Sequence, residues 1–231
     1  MPGRLPPVAA IPELLRKRRE VEELRRFTRA RRLVSLTYDD GPSHGLTRAI
    51  AALLDSYGVY GTFFMLGSRA AAAPEVADEL HAAGHEIGCH SGSHLHAWRS
   101  STRESIEDIE QGYRDLGRWI SKEAVFRPPY GKLLPGTRRR AMRDWGPIGW
   151  WTVDSGDTWP SVPRVDEIVA RIISDGGGVV LMHDFERTSR VAAAVHEYVL
   201  ALTEALIRAS VRHGFEIRTL GAILSEQRGS I

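Results

Sequence analysis

The chain has 231 residues, 42% of them hydrophobic, and a formal net charge of +2, which is the bulk of one large or two small soluble domains with a substantial core. So slight a positive surplus is no argument for nucleic-acid binding, and the single cysteine, Cys89, excludes an internal disulfide and a multi-cysteine metal site. No apolar run reaches the length of a membrane-spanning helix.

The first twenty residues, MPGRLPPVAAIPELLRKRRE, lack the continuous apolar core of a secretory leader: Arg4, prolines and the charges from Arg16 onward interrupt it. The expected location is therefore cytoplasmic, with a leader trimmed from the chain as the alternative. From Ile11 to Phe27 the residues Ile11, Leu14, Leu15, Val21, Leu24 and Phe27 recur at roughly helical spacing, which predicts a helix docked on a core, its own or a second subunit's. Between Lys17 and Arg32 eight Lys or Arg stand against three Glu. That face reads as solvated, with Glu–Arg pairs, or as a contact for an anionic surface. Residues 1–32 are expected to form this basic helical extension and residues 33–231 the main domain.

After Arg32, short apolar runs alternate with longer helical ones. Strands are expected at 33–38, 61–66, 86–90, 124–127, 148–153, 179–183 and 215–218, and helices at 47–57, 74–83, 102–121, 137–144, 165–174 and 191–213. Strands separated by helices pair in parallel, so the fold class is α/β, a barrel or a doubly wound sheet. Several of these strands end on polar residues: Asp39 and Asp40, His90, Asp154, His183. The carboxyl ends of barrel strands form the active-site face, so these residues are expected to share one pocket.

The segment SLTYDDGPSHG carries two adjacent acids into a Gly-Pro turn. Asp-Asp-Gly-Pro is good turn chemistry by itself, and a functional reading needs partners elsewhere. GHEIGCHSGSHLHAW supplies them, since His90 and His94 lie four apart and can converge on one metal from a compact loop. His81 and His85, just upstream, read as structural, and Cys89 as a small buried residue pointing away from His90. Two His and one Asp leave a coordination position free for water or substrate, the arrangement of a hydrolytic site. One acid then has a metal to bind and the other can accept a proton from the attacking water.

In VFRPPYGKL, Arg127 offers a fixed cation to a catalytic acid, and the rigid Pro-Pro-Tyr-Gly backbone an N–H to a developing oxyanion. WWTVDSGDTWP surrounds Asp154 and Asp157 with aromatic residues, and VVLMHD ends a buried strand on His183, a candidate general acid.

TYDDGP, HSGSH, RPPYG, DSGDTW and LMH, in this order between residues 33 and 224, resemble the motifs of the polysaccharide deacetylases, the family 4 carbohydrate esterases with the nodulation-type chitooligosaccharide deacetylase domain. The resemblance implies a distorted (β/α)7-type barrel, here with an added N-terminal helix, and metal-dependent hydrolysis of an acetyl group, foremost N-acetyl, on a saccharide or glycoconjugate. It implies Asp39 as base, Asp40, His90 and His94 as metal ligands, and His183 as the acid. Arg127 would hold Asp39, and the N–H of Tyr130 would stabilise the oxyanion. A Trp of the fourth motif and Leu181 would wall the acetyl pocket, with an Asp of that motif tuning His183. That motif departs from the family pattern, because Thr158 separates Asp157 from Trp159. Whether Asp154 or Asp157 serves His183, and whether Trp151 or Trp159 lines the pocket, stays open, with Asp157 preferred. Zinc is the expected ion, with cobalt, nickel or manganese as alternatives. The competing readings are hydrolysis of another C–N bond, such as a cyclic amide or ureide, and a catalytically silent glycan-binding barrel. Neither the oligomeric state nor the identity of the glycan follows from the residues.

Overall fold

The apolar run that begins at Leu33 becomes the central strand. In the computed structural model, which describes residues 7–185 and 192–230, β1 (Leu33–Gly41) is buried along almost its whole length. It pairs in parallel with β2 (Thr62–Met65) on one side and β5 (Gly178–His183) on the other. On the flanks, β3 (Glu86–Cys89) adds to β2 and β4 (Val153–Asp154) adds to β5; β6 (Glu216–Ile217) meets the start of β1. Strands buried on both faces need continuous apolar runs, which explains why these segments show little alternation.

The sheet returns on itself. Cys89 of β3 bridges Phe126, Phe126 bridges Ile148, and the run from Ile148 reaches Val153, which pairs with Val180 of β5. The result is a distorted (β/α)7-type barrel. Two of the expected strands are corrected here: 124–127 is reduced to the bridges at Phe126, and 148–153 to a bridge at Ile148 followed by the two residues of β4. Pro128 and Pro129 follow one run and Pro147 precedes the other, and proline has no N–H to give a ladder. The expected strand at 215–218 likewise shortens to β6.

Helices fill the connections: α2 (Leu46–Ser56), α3 (Gly67–Ala72), α4 (Pro74–Ala82), α5 (Thr102–Leu116), α6 (Pro135–Asp144), α7 (Val165–Asp175), α8 (Ala192–His213) and α9 (Leu220–Gly229). The start of the expected helix 191–213, Val191, lies outside the described residues, as do residues 1–6 of the extension and Ile231. α5 opens with a capping box, Ser101 accepting from the Glu104 N–H while the Glu104 side chain accepts from the Ser101 N–H. It stops at Leu116 rather than Ser121, where the chain tightens into turns closed by the Gly117 N–H on the Arg114 carbonyl and the Trp119 N–H on the Leu116 carbonyl. α3 and α9 have no counterpart among the expected helices: α3 is six residues of mostly small side chains and carries too little periodicity to read.

The helix expected at the N-terminus, α1 (Ile11–Arg31), packs on its own barrel. Its C-terminal half docks as the spacing predicts, with Leu24 buried and Val21 and Phe27 against the core. The N-terminal half does not: Ile11 and Leu15 are 46% and 65% exposed. Glu13, Lys17 and Glu20 face the barrel instead, at the i, i+4, i+7 spacing of one helix face. Buried Arg138 of α6 donates to Glu13, and to Glu20 at 2.8 and 2.9 Å, while Trp150 Nε1 donates to Glu20 at 2.7 Å. A buried guanidinium is tolerable only when paired, so this part of the contact is polar.

Phe126 is fully buried and, among the described residues, is the one that bridges both β3 and the 148 run. Phe126→Ala is therefore expected to cost about 3–5 kcal/mol, read as a lower urea midpoint. An unchanged midpoint would mean that the Phe126 side chain does not pack in the core as described.

Candidate functional site

Neighbouring residues on a regular strand point to opposite faces, so Asp39 and Asp40 can share a site only if the strand breaks its alternation. It does: Asp39 stands opposite Phe64 and Gly41 opposite Met65, leaving Asp40 as the extra residue of a bulge, with φ at 73°. Both carboxylates then approach one imidazole, His90 Nε2, at 3.7 Å from Asp39 Oδ2 and 3.3 Å from Asp40 Oδ1. Ser91, His94 and Tyr130 also adopt left-handed backbone, at φ 75°, 64° and 57°. Among the described residues the one other such non-glycine is Arg32, at the end of α1. Strained backbone of this kind persists only where its surroundings over-determine it. Here the Arg69 guanidinium donates to the Asp40 carbonyl, and Asp108 of α5 accepts from the Ser93 N–H at 2.9 Å and the Ser93 hydroxyl at 2.7 Å.

Asp40 Oδ1 lies 3.3 Å from His90 Nε2 and 3.2 Å from His94 Nε2, and it is buried without a hydrogen-bond donor. His90 Nδ1 lies 2.8 Å from the Arg127 carbonyl, a contact that places the ring proton on Nδ1 and turns the Nε2 lone pair toward Asp40. Ligands about 2.0–2.2 Å from a tetrahedral ion stand about 3.3–3.6 Å apart. The three residues therefore fit a divalent cation, as a compact group of metal-ligating atoms. Burial works against the Asp40 charge, but the adjacent His90 imidazole, with His94 and His183 beyond it, holds it well below the usual carboxylate range. Burial also lowers the pKa of His94, which favours its neutral, ligating form. His90 is shifted upward, Asp39 and Asp40 together outweighing its burial; a bound cation would displace that proton.

Asp39 is fixed from behind. Arg127 is fully buried and donates to Asp39 Oδ1 at 2.7 Å, Thr37 Oγ1 at 2.8 Å and the Gly149 carbonyl at 2.9 Å, with its guanidinium 4.0 Å from the Phe64 ring centre. Across the β1–β5 pairing, Asp39 is the register partner of His183.

The two candidate partners of His183 separate cleanly. Asp157, fully buried, accepts from the His183 backbone N–H at 2.9 Å and contacts His183 Nδ1 at 2.9 Å. Asp154 accepts from the Gly156 N–H at 2.8 Å and so shapes the turn between them. Burial opposes the charge on His183, but the hydrogen bond and charge of Asp157, aided by Asp39 and Asp40, raise its pKa to about 9.

Of the two tryptophans, Trp159 is 51% exposed, whereas Trp151 is half-buried with Arg127 5.7 Å from its ring centre. Leu181 is buried on β5 opposite Thr37. Tyr130 projects into solvent, its ring 4.5 Å from that of His94. Cys89 is buried in the core and its thiol pushed up to about 12 by that burial. His85 packs on Phe63, and His81 lies in the last turn of α4.

Reading along the chain misses Asp108 and Lys17, charged residues in helices with ordinary amphipathic or basic patterns, and Arg69, in a helix too short to show a pattern. Lys17 donates to the Gly131 carbonyl at 3.1 Å, next to Tyr130.

A family model described as polysaccharide deacetylase matches residues 27–146. The chain is 33% identical over 168 residues to a peptidoglycan-N-acetylglucosamine deacetylase of Bacillus cereus, covering 70% of this chain and 78% of that one. It is 32% identical over 199 residues to a chitooligosaccharide deacetylase of a Bradyrhizobium species, covering 82% and 89%. Among solved structures, a family 4 carbohydrate esterase from Streptomyces lividans in complex with acetate superposes with a TM-score of 0.68 at 27% identity, over 79% of this chain and 90% of that one. A peptidoglycan N-acetylglucosamine deacetylase in complex with an N-oxidanyl-benzamide gives 0.73 at 26% identity, over 84% and 89%.

A Cβ on Gly112 of α5 would sit 2.4 Å from the Ser91 backbone, so Gly112→Ala must push away the loop that carries His90 and His94. A weaker affinity for zinc or cobalt, measured by competition with a chelator, is expected from a protein that still folds. For the metal-free protein, proton NMR should find His183 titrating near 9, and Asp157→Asn should bring it down toward or below the ordinary 6.5. Because the folded value lies above the unfolded one, the stability from this pair is full below about 6.5 and is lost as pH rises through about 9.

Proposed function

The chain belongs to the polysaccharide deacetylase family, and on that premise we propose that it hydrolyses the N-acetyl group of an N-acetylated hexosamine unit in a saccharide or glycoconjugate. The observation that carries this reading is the pairing of Asp39 with His183 on adjacent strands beside the Asp40, His90 and His94 group. Amide hydrolysis needs a deprotonated water, a stabilised oxyanion and a protonated leaving nitrogen. The site offers a distinct group for each.

Asp40, His90 and His94 would hold the ion, for which zinc suits two imidazoles and a carboxylate, and cobalt, nickel or manganese suit the same donors. When bound, the ion supplies Lewis acidity to the acetyl carbonyl and acidifies water. Asp39 takes the proton of the attacking water, its carboxylate fixed in place by the Arg127 guanidinium through Oδ1. The Tyr130 N–H donates to the developing oxyanion from a turn whose next two N–H groups are used internally, Gly131 to the Pro128 carbonyl at 2.8 Å and Lys132 to the Pro129 carbonyl at 3.1 Å.

His183 gives its proton to the leaving amine. Asp157, at Nδ1, keeps the imidazolium charged near neutral pH and directs Nε2 outward. Leu181 and Trp151 enclose the acetyl methyl group, which favours Trp151 over the exposed Trp159 as the pocket wall. Asp154 acts through the turn it caps.

Acetate release from N-acetylglucosamine oligomers should vanish when the protein is stripped of metal and return with zinc or cobalt. Asp39→Asn should retain about the wild-type metal content and lose about 10²- to 10⁴-fold in kcat, while His94→Ala should lose metal and activity together. Normal turnover by Asp39→Asn would remove the base from this scheme.

A further inference from the structure

We propose that Lys17, a residue of α1 that lies before the matched family segment, is a positioning residue for the turn that presents the Tyr130 N–H and for the Trp151 ring. The proposal rests on the deacetylase reading above. Tyr130 sits in the left-handed region at φ 57° and Gly131 follows at φ 60°. Two hydrogen bonds close this turn from inside, but they leave the outward Gly131 carbonyl unspoken for within the turn itself. Lys17 Nζ donates to that carbonyl at 3.1 Å and lies 4.3 Å from the ring centre of Trp151 and 4.9 Å from that of Trp150. The fit is tight: a Cβ on Gly131 would come within 2.2 Å of Lys17 Nζ and 2.5 Å of the Trp151 ring. One ammonium thus touches both the oxyanion turn and the wall of the acetyl pocket.

The helix is registered to put it there. Glu13, four residues before Lys17, and Glu20, three after, are both held by Arg138, and Glu20 also by Trp150. An ammonium in this position is not the stabilising choice. Burial, with Arg127 and Lys132 nearby, lowers its pKa to about 8 against the pull of Asp154, and an unbranched apolar chain such as Met would cover the tryptophans without that desolvation cost. What Met cannot do is donate to the Gly131 carbonyl. A residue that weakens the docking of its own helix while tying down a strained turn is placed for the turn.

The test uses the full chain, loaded with zinc, as wild type, Lys17→Met and Lys17→Arg. In Lys17→Met the melting temperature and metal content are expected to stay at or above wild type, KM to stay within about twofold, and kcat to fall about 10- to 100-fold, the range for a misplaced transition-state donor. Lys17→Arg, which restores a donor, should recover most of that loss. The backbone amide signals of Tyr130, Gly131 and Lys132 provide a readout that needs no substrate: they should shift or broaden in Lys17→Met and return in Lys17→Arg. Wild-type kcat in Lys17→Met, or amide signals unmoved by it, overturns the proposal. So does a fall in kcat that follows a matching fall in melting temperature and is not rescued by arginine. If the wild-type protein itself releases no acetate, the deacetylase reading fails, and the amide signals still decide whether Lys17 holds the turn.

Discussion

The broken alternation at Asp40 is the constraint on which the rest of the site depends. A strand that kept its pleat would send one of two adjacent carboxylates into the packing between sheet and helices. The bulge removes that choice by inserting one unpaired, left-handed residue between Asp39 and Gly41. One acid is then free to join His90 and His94 while its neighbour stays in register with His183. Four local strains, at Asp40, Ser91, His94 and Tyr130, surround the same small volume. Residues from elsewhere in the chain brace these segments, Arg69 at Asp40, Asp108 at the loop of Ser91 and His94, and Lys17 at the turn of Tyr130, which is how a fold retains backbone that local preference disfavours.

The second consequence is electrostatic. Concentrating two carboxylates and three imidazoles at the ends of buried strands demands compensation that water cannot supply there. Arg127 inside the barrel and Asp157 behind His183 provide it, one for each proton-transfer group. Their contacts divide the work. Arg127 neutralises the charge that must remain on Asp39, and Asp157 preserves the proton that His183 must carry. A buried pair of this kind is very costly to break on one side, and it fixes the orientation of both partners.

The barrel is also least regular near this chemistry. Between Phe126 and Val153 the ring is closed by single bridges, and the prolines that prevent a continuous ladder form part of the turn bearing Tyr130. The first half of α1 lies along this seam with Glu13, Lys17 and Glu20 turned inward, bonded to Arg138, Trp150 and Gly131. A helix that looks like a solvated basic face is in this way part of the wall behind the site.

Much of this was legible along the chain. The alternation of apolar runs and helical periods specifies an α/β fold, because each segment's burial pattern is set by its own residues. The polar ends of those runs name Asp39, Asp40, His90, His94 and His183, since ligands that act together sit in short segments at successive strand ends. Other features were decided only by contacts between distant segments. Asp157 rather than Asp154 meets His183 because the turn at Gly156, φ 68°, swings one acid under the histidine and spends the other on its own backbone. The 124–127 and 148–153 runs are apolar enough for strands, but Pro128, Pro129 and Pro147 flank them and leave the ladder no N–H through which to extend. Lys17 is one of eight basic residues in a short stretch, indistinguishable by type or spacing, and Ile11 and Leu15 keep a helical period without a surface to cover. Local sequence records what a segment can do alone. Which of its faces is buried, and against what, depends on the free energy of packing it against residues a hundred positions away.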